Sequence, residues 1–155
     1  MDRNTRILIV DDDENIRKVL TTILEDEGYD VETADTAKTA IEKTERKTYN
    51  IALIDIRLPD MEGIELLTKM RATTPRLRKI IITGYPTMQN AVEAVNKGAD
   101  AYVLKPFNVE KVLNIIKEQL QKQNEEKMYS QEKVAEFIET RVRQIENEKA
   151  LIHKK

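Results

Sequence analysis

Five side chains stand where short apolar runs give way to polar sequence. Asp11 and Asp12 follow Ile7 to Val10, Asp55 follows Ile51 to Ile54, Thr83 follows Ile80 to Ile82, and Lys105 follows Ala101 to Leu104. As a set they suit phosphoryl chemistry. Three carboxylates gathered at one edge repel one another by about 4 kcal/mol per pair at about 4 Å in an effective dielectric of about 20, so they need a proton or a cation. The chain has no cysteine, and its single histidine, His153, lies far away in sequence. The donors are therefore hard oxygens, and Mg²⁺ favours one or two carboxylates together with water and phosphate oxygens. Carboxylates also serve as phosphoryl-accepting nucleophiles, and an adjacent ammonium and hydroxyl stabilise the acyl phosphate that results. Alone, each residue has a plainer reading as a helix N-cap, strand filler or a solvated lysine before proline. Their joint placement reverses that preference.

The elements that must position these groups are visible as a switching period. Ile7 to Val10 is a continuous β-branched run, the pattern of a strand buried on both faces. From Glu14 the spacing of Ile16, Val19, Leu20, Ile23 and Leu24 is that of an amphipathic helix ending near Gly28. The alternation recurs: Val31 to Ala34 as a weak strand, Ala37, Ala40 and Ile41 on a helix, and Ile51 to Ile54 as a strand. Ile64, Leu67 and Met70 then share a helix, Ile80 to Ile82 a strand, Ala91, Val92 and Val95 a helix, and Ala101 to Leu104 a fifth strand. Buried strands separated by single helices predict a doubly wound α/β sandwich with a parallel sheet. Ligands of such sheets bind outside the carboxyl ends of the strands, where all five polar groups fall. Gly28, Gly63 and Gly98 read as turn residues, with Gly98 at a helix C-cap. Asn108 is placed to cap a closing helix that carries Val109, Val112, Leu113, Ile116 and Leu120.

The segments Leu-Ile-Val-Asp-Asp-Asp, Ala-Leu-Ile-Asp-Ile-Arg-Leu-Pro-Asp-Met-Glu-Gly, Ile-Ile-Ile-Thr-Gly-Tyr-Pro and Ala-Tyr-Val-Leu-Lys-Pro-Phe closely resemble the receiver domains of response regulators in two-component signalling systems. The likeness runs from about residue 5 to about residue 120, with motifs in order and at the family's spacing. It implies a flavodoxin-like sheet in the order 2-1-3-4-5, and Asp55 as the acceptor of a phosphoryl group from a histidine kinase. Asp12 and Asp55 would ligate Mg²⁺ directly, Asp11 through water, and the backbone carbonyl of Arg57 would complete the protein ligands. Asp13 falls instead where a helix first turn favours a carboxylate. By the same resemblance Thr83 would bond a phosphoryl oxygen, Lys105 would pair with the phosphate, and the Lys105–Pro106 bond would be cis. Tyr102 would be the switch aromatic that turns inward as Thr83 moves; its plainer reading is a core tyrosine. Arg57 and Tyr85, each two residues past a site residue, are placed to shield the acyl phosphate. Such a chain is no enzyme beyond its own phosphoryl gain and loss. It hands its signal to a downstream protein target through the fourth helix, fifth strand and fifth helix.

After the receiver, expected over residues 1–122, residues 123–155 read as a helical tail: Ala135, Ile138, Val142, Ile145 and Ile152 form a short heptad seam interrupted by Lys149. The tail either pairs with another helix or packs on its own domain, so a homodimer would use that helix or the fourth-helix, fifth-strand and fifth-helix face. It is too short for a winged helix and holds no Gly-rich phosphate loop. His153 receives no role. With 26 Lys and Arg against 28 Asp and Glu, no field draws in nucleic acid or an anionic membrane. The N-terminus shows neither a signal h-region nor a span, so a soluble, cytoplasmic protein is expected. Two other classes compete: a pseudo-receiver that only binds, against which the intact acidic set argues, and an aspartate-nucleophile phosphatase. The latter needs a second Asp two residues after its nucleophile, where this chain has Arg57. A dinucleotide-binding domain is weaker still, since no Gly-rich fingerprint follows the first strand.

Overall fold

The computed structural model describes residues 5–153. Met1 to Asn4, part of the stretch read for an export signal, and the His153 side chain lie outside the described residues. Strands and helices alternate throughout: β1 (Arg6–Val10), α1 (Glu14–Asp26), β2 (Asp30–Ala34), α2 (Ala37–Arg46), β3 (Ile51–Asp55), α3 (Gly63–Leu66), β4 (Arg78–Thr83), α4 (Met88–Asn96), β5 (Ala101–Leu104) and α5 (Val109–His153). The five strands form one sheet in the order β2-β1-β3-β4-β5 with every pair parallel, the doubly wound arrangement expected. The chain forms two compact units, one through Gln123 and one from Asn124 onward.

Although the strands are apolar on both sides, their pleat sorts side chains into two cores. Leu8, Val10, Ala52, Ile54 and Ile81 pack with Ala37 and Ala40 of α2, Ile64 of α3 and Ala94 of α4. Ile7, Ile9, Ile51, Leu53, Ile80 and Ile82 point the other way, onto Leu20 and Leu24 of α1 and Val112 and Ile116 of α5. Burying each of these Leu or Ile side chains is worth about 2 kcal/mol, so the sheet is held from both faces and its carboxyl ends are a firm platform.

Helix starts follow local chemistry. The Asp13 carboxylate accepts from the backbone N–H of Asn15 at 2.8 Å and of Ile16 at 3.3 Å, capping α1. Thr36 and Thr87 cap α2 and α4 in the same way, and Asn108 Oδ1 accepts from Glu110 N at 2.8 Å at the start of α5. Gly98 has φ of 98°, as a left-handed C-terminal turn requires. At the amino ends of the strands, Gln123 Nε2 donates to the carbonyls of Asn50 (3.0 Å) and Arg76 (2.8 Å), while Asn50 Nδ2 donates to Gln123 Oε1. One turn earlier, Gln119 Oε1 accepts from the Arg78 guanidinium.

Two expectations change. Ile64, Leu67 and Met70 are all buried, but regular helix stops at Leu66. Beyond it Thr68 N and Lys69 N bond to the carbonyls of Glu65 and Leu66 three residues back, and the Leu67 carbonyl is taken by Lys79 Nζ at 2.6 Å. The segment thus ends in tight turns. Gly63, expected as a turn residue, has no positive φ and serves another purpose, described below.

Candidate functional site

Register brings the site together. Val10 is level with Ile54 across the β1–β3 ladder, so Asp11, one residue on, falls beside Asp55. Asp55 is level with Ile82, and Thr83 with Leu104, the residue before Lys105. Carboxylate oxygens of Asp11, Asp12 and Asp55 lie within 4.8 Å of one another. Asp11 is buried and Asp12 exposed, with Asp55 between. Lys105 Nζ donates to Asp11 Oδ2 at 2.9 Å and stands 3.6 Å from Asp55 Oδ1. The other Asp11 oxygen accepts from Asp13 N at 2.9 Å, and Arg17 Nη1 donates to the Asp11 carbonyl at 2.8 Å. The Lys105–Pro106 peptide is cis, as the resemblance implied, and Thr74–Pro75 is cis as well.

Electrostatics follow from this crowding. Burial pushes the Asp55 carboxyl up, Lys105 pulls it back, and the neighbouring charges of Asp11 and Asp12 raise it again, leaving it at about 6. Burial alone would lower the Lys105 ammonium, but its hydrogen bond to Asp11 and the charges of Asp11 and Asp55 outweigh that and raise it. Three carboxylates facing one ammonium leave two negative charges uncompensated when all are ionised. An all-oxygen donor set with that deficit fits a hard divalent cation.

Thr83 is fully buried at the end of β4, and its Oγ1 accepts from Tyr85 N at 3.0 Å. Tyr102 is level with Ile81, packs against the core shared with α4, and buries a hydroxyl that has no hydrogen-bond partner among the described residues. The ring is therefore already inward. The Arg57 guanidinium lies 3.8 Å from the centroid of the Tyr85 ring, a cation–π stack between the loops after β3 and β4.

Three contributors escaped sequence reasoning. A β-carbon at Gly63 would collide with the backbone carbonyl oxygen of Asp55, and the Gly63 N–H donates to the Ile56 carbonyl. Glycine there lets the loop fold onto the acceptor's own backbone. Asp60 accepts from Ala37 N and Lys38 N, both at 2.9 Å, tying the same loop to the start of α2. These bonds hold the Asp60 carboxyl below its usual range. Arg17 steadies the Asp11 backbone.

A doubly wound sheet with an acidic cluster and a lysine at its carboxyl edge is an α/β domain whose candidate site lies where ligands of such sheets bind. The chain belongs to the response regulator receiver domain family, whose model matches residues 7–117. Among curated relatives, regulatory protein AtoC of Escherichia coli is 38% identical over 122 residues, covering 79% of this chain and 26% of AtoC. Response regulator ArlR of Staphylococcus saprophyticus is 37% identical over 121 residues, covering 77% of this chain and 54% of ArlR. The chain thus spans about a quarter of one and about half of the other. Among solved structures, a receiver domain from Methanospirillum hungatei is 50% identical with a TM-score of 0.76, covering 79% of this chain and 98% of that one. The beryllofluoride-activated NtrC4 receiver domain dimer is 36% identical with a TM-score of 0.71, covering 76% and 98%.

Proposed function

We propose that this receiver domain is phosphorylated on Asp55 by a histidine kinase and uses the modification to change its protein contacts. The observation that carries the reading is the convergence of Asp55 with Asp11, Asp12 and Lys105 at the carboxyl edge of the sheet. An Asp55 oxygen attacks the phosphorus of a phosphohistidine as the phosphorus–nitrogen bond breaks, and the imidazole departs with the bonding pair. Asp11, Asp12, Asp55 and the carbonyl of Arg57 would hold Mg²⁺, which when bound neutralises charge on the phosphoryl oxygens. Lys105, already poised between two carboxylates, pairs with the added phosphoryl group. The Thr83 hydroxyl donates to another of its oxygens and exchanges its present contact with Tyr85 N for that bond.

Movement of Thr83 and the packing of Tyr102 against the α4 core would then pass the change to α4, β5 and α5. Support for that face as the contact surface comes from its apolar exposure: Tyr85, Met88, Val92, Val95 and Leu104 all stand in solvent. The partners are the kinase, a downstream protein target and a second copy of the chain, with no direct contact to nucleic acid. No helix among the described residues is long and apolar enough to cross a membrane, and the reading places the protein in the cytoplasm, working as a switch and not as an enzyme on other substrates. Intact mass after incubation with Mg²⁺ and a small acyl-phosphate donor tests the reading. One added phosphoryl group, absent in Asp55→Asn, is expected; no gain would leave a module that only binds.

A further inference from the structure

We infer that the helix from Asn124 to His153 is one strand of a parallel, in-register coiled coil formed with a second copy of this chain. The inference deepens the self-association named above and rests on it. Taking Val142 as an a position, the a residues are Met128, Ala135, Val142 and Lys149, and the d residues are Gln131, Ile138, Ile145 and Ile152. The helix is unbroken through this stretch. The apolar residues of the seam are exposed, Ile138 by 56% and Ile152 by 71%, and a stripe of that kind is stable when another helix covers it.

The flanking charges identify the occupant and its direction. Every e position from Glu125 to Glu146 is glutamate: Glu125, Glu132, Glu139 and Glu146. The g positions are Lys127, Val134, Arg141 and Glu148. In a parallel pair each g residue faces the following e residue of the other helix. Lys127 then meets Glu132 of the second copy and Arg141 meets Glu146, twice over by symmetry. An antiparallel pair would set e against e, glutamate against glutamate. Even with Lys127 opposite Glu148 along g, the antiparallel pair keeps glutamate against glutamate along e, so the parallel direction is the more complementary one. Lys149 favours two strands, because its alkyl stem can carry the ammonium out of a two-stranded seam whereas a third helix would enclose it. With Gln131 and Lys149 in the seam and isoleucine at the d positions, the association is weak and concentration-dependent.

The absence of cysteine from the chain gives a clean test on the full-length, unphosphorylated protein. Gln131→Cys, at a d position, should form an intermolecular disulfide in a glutathione redox buffer, and Thr140→Cys, on the outer f position, should not. In sedimentation equilibrium, Glu132→Lys with Glu146→Lys should weaken dimerisation about tenfold or more, and adding Lys127→Glu with Arg141→Glu should restore it. Restoration excludes a folding defect as the cause. A chain that self-associates without the Gln131→Cys link, and is indifferent to the charge reversal, pairs through its receiver face, and the tail proposal alone fails. A chain that stays monomeric at its highest soluble concentration overturns self-association altogether, and a trimer overturns the two-stranded form.

Discussion

Gly63 and Asp55 are packed so closely that any β-carbon on Gly63 would strike the Asp55 carbonyl oxygen. The obstacle is backbone, which cannot swing aside as a side chain would. Gly63→Ala should therefore displace the acceptor strand end or the loop, destabilising the fold by about 2 kcal/mol and slowing phosphoryl uptake. Urea unfolding and the labelling rate read the two effects. A variant with wild-type stability and labelling would show that the approach is not tight.

Asp55 itself should cost stability at neutral pH. Its folded-state pKa of about 6 stands above its ordinary value of 3.8, so the fold favours the protonated form. The associated stabilisation is full below about pH 4 and is lost as pH rises through about 6. Asp55→Asn should thus be more stable than the wild type at pH 7.5 without Mg²⁺, by about 1–2 kcal/mol after allowing for the solvent that still reaches the group. The difference should vanish near pH 4. Paired urea titrations at the two pH values check the sign; a less stable variant at pH 7.5 would contradict it.

Lys105 is the one cation among the described residues that pairs with both Asp11 and Asp55. Removing it strands the buried Asp11 carboxylate, so Lys105→Ala should lose about 2–3 kcal/mol in metal-free buffer. The same substitution deepens the negative potential and should tighten Mg²⁺ binding in calorimetric titration. Phosphorylated Lys105→Ala should also fail to reproduce the change at α4, β5 and α5 seen by amide chemical shifts. Weaker Mg²⁺ binding would argue that the ammonium organises the site and does not compete with the metal.

The Tyr102 hydroxyl is buried with no hydrogen-bond partner among the described residues. Tyr102→Phe removes a desolvated group that returns nothing, so the unphosphorylated protein should be unchanged or more stable by about 1 kcal/mol. A loss of that size in urea unfolding would mean that the hydroxyl has a hydrogen bond in solution.

Much of this site could be read from the chain because its parts are local. A β-branched run ending in Asp announces both a strand and a carboxylate at its carboxyl end, and the ends of four strands suffice to assemble Asp11, Asp12, Asp55, Thr83 and Lys105. What stayed hidden depends on contacts across sequence. Asp60 bonds to the start of α2 from 23 residues away, and nothing in its neighbourhood distinguishes it from a solvated loop residue. Gly63 resembled turn chemistry because a close approach to Asp55 leaves no mark on local composition. The short α3 was overextended since Ile64, Leu67 and Met70 keep helical spacing, while the competing bond from Lys79 to the Leu67 carbonyl arrives from β4. Strand ends were missed for a related reason: Arg6, Asp30 and Arg78 are polar, and pairing there is supplied by neighbours and not by hydropathy.

The central claim is that Asp55 carries the phosphoryl group, and borohydride trapping tests it most directly. Borohydride reduces an aspartyl phosphate to homoserine, and trypsin releases residues 48–57, a peptide in which Asp55 is the only side-chain carboxylate. After treatment with Mg²⁺ and an acyl-phosphate donor, the account predicts homoserine in that peptide at position 55 and nowhere else. Homoserine in the peptide containing Asp11, Asp12 and Asp13, with residues 48–57 unchanged, would contradict it.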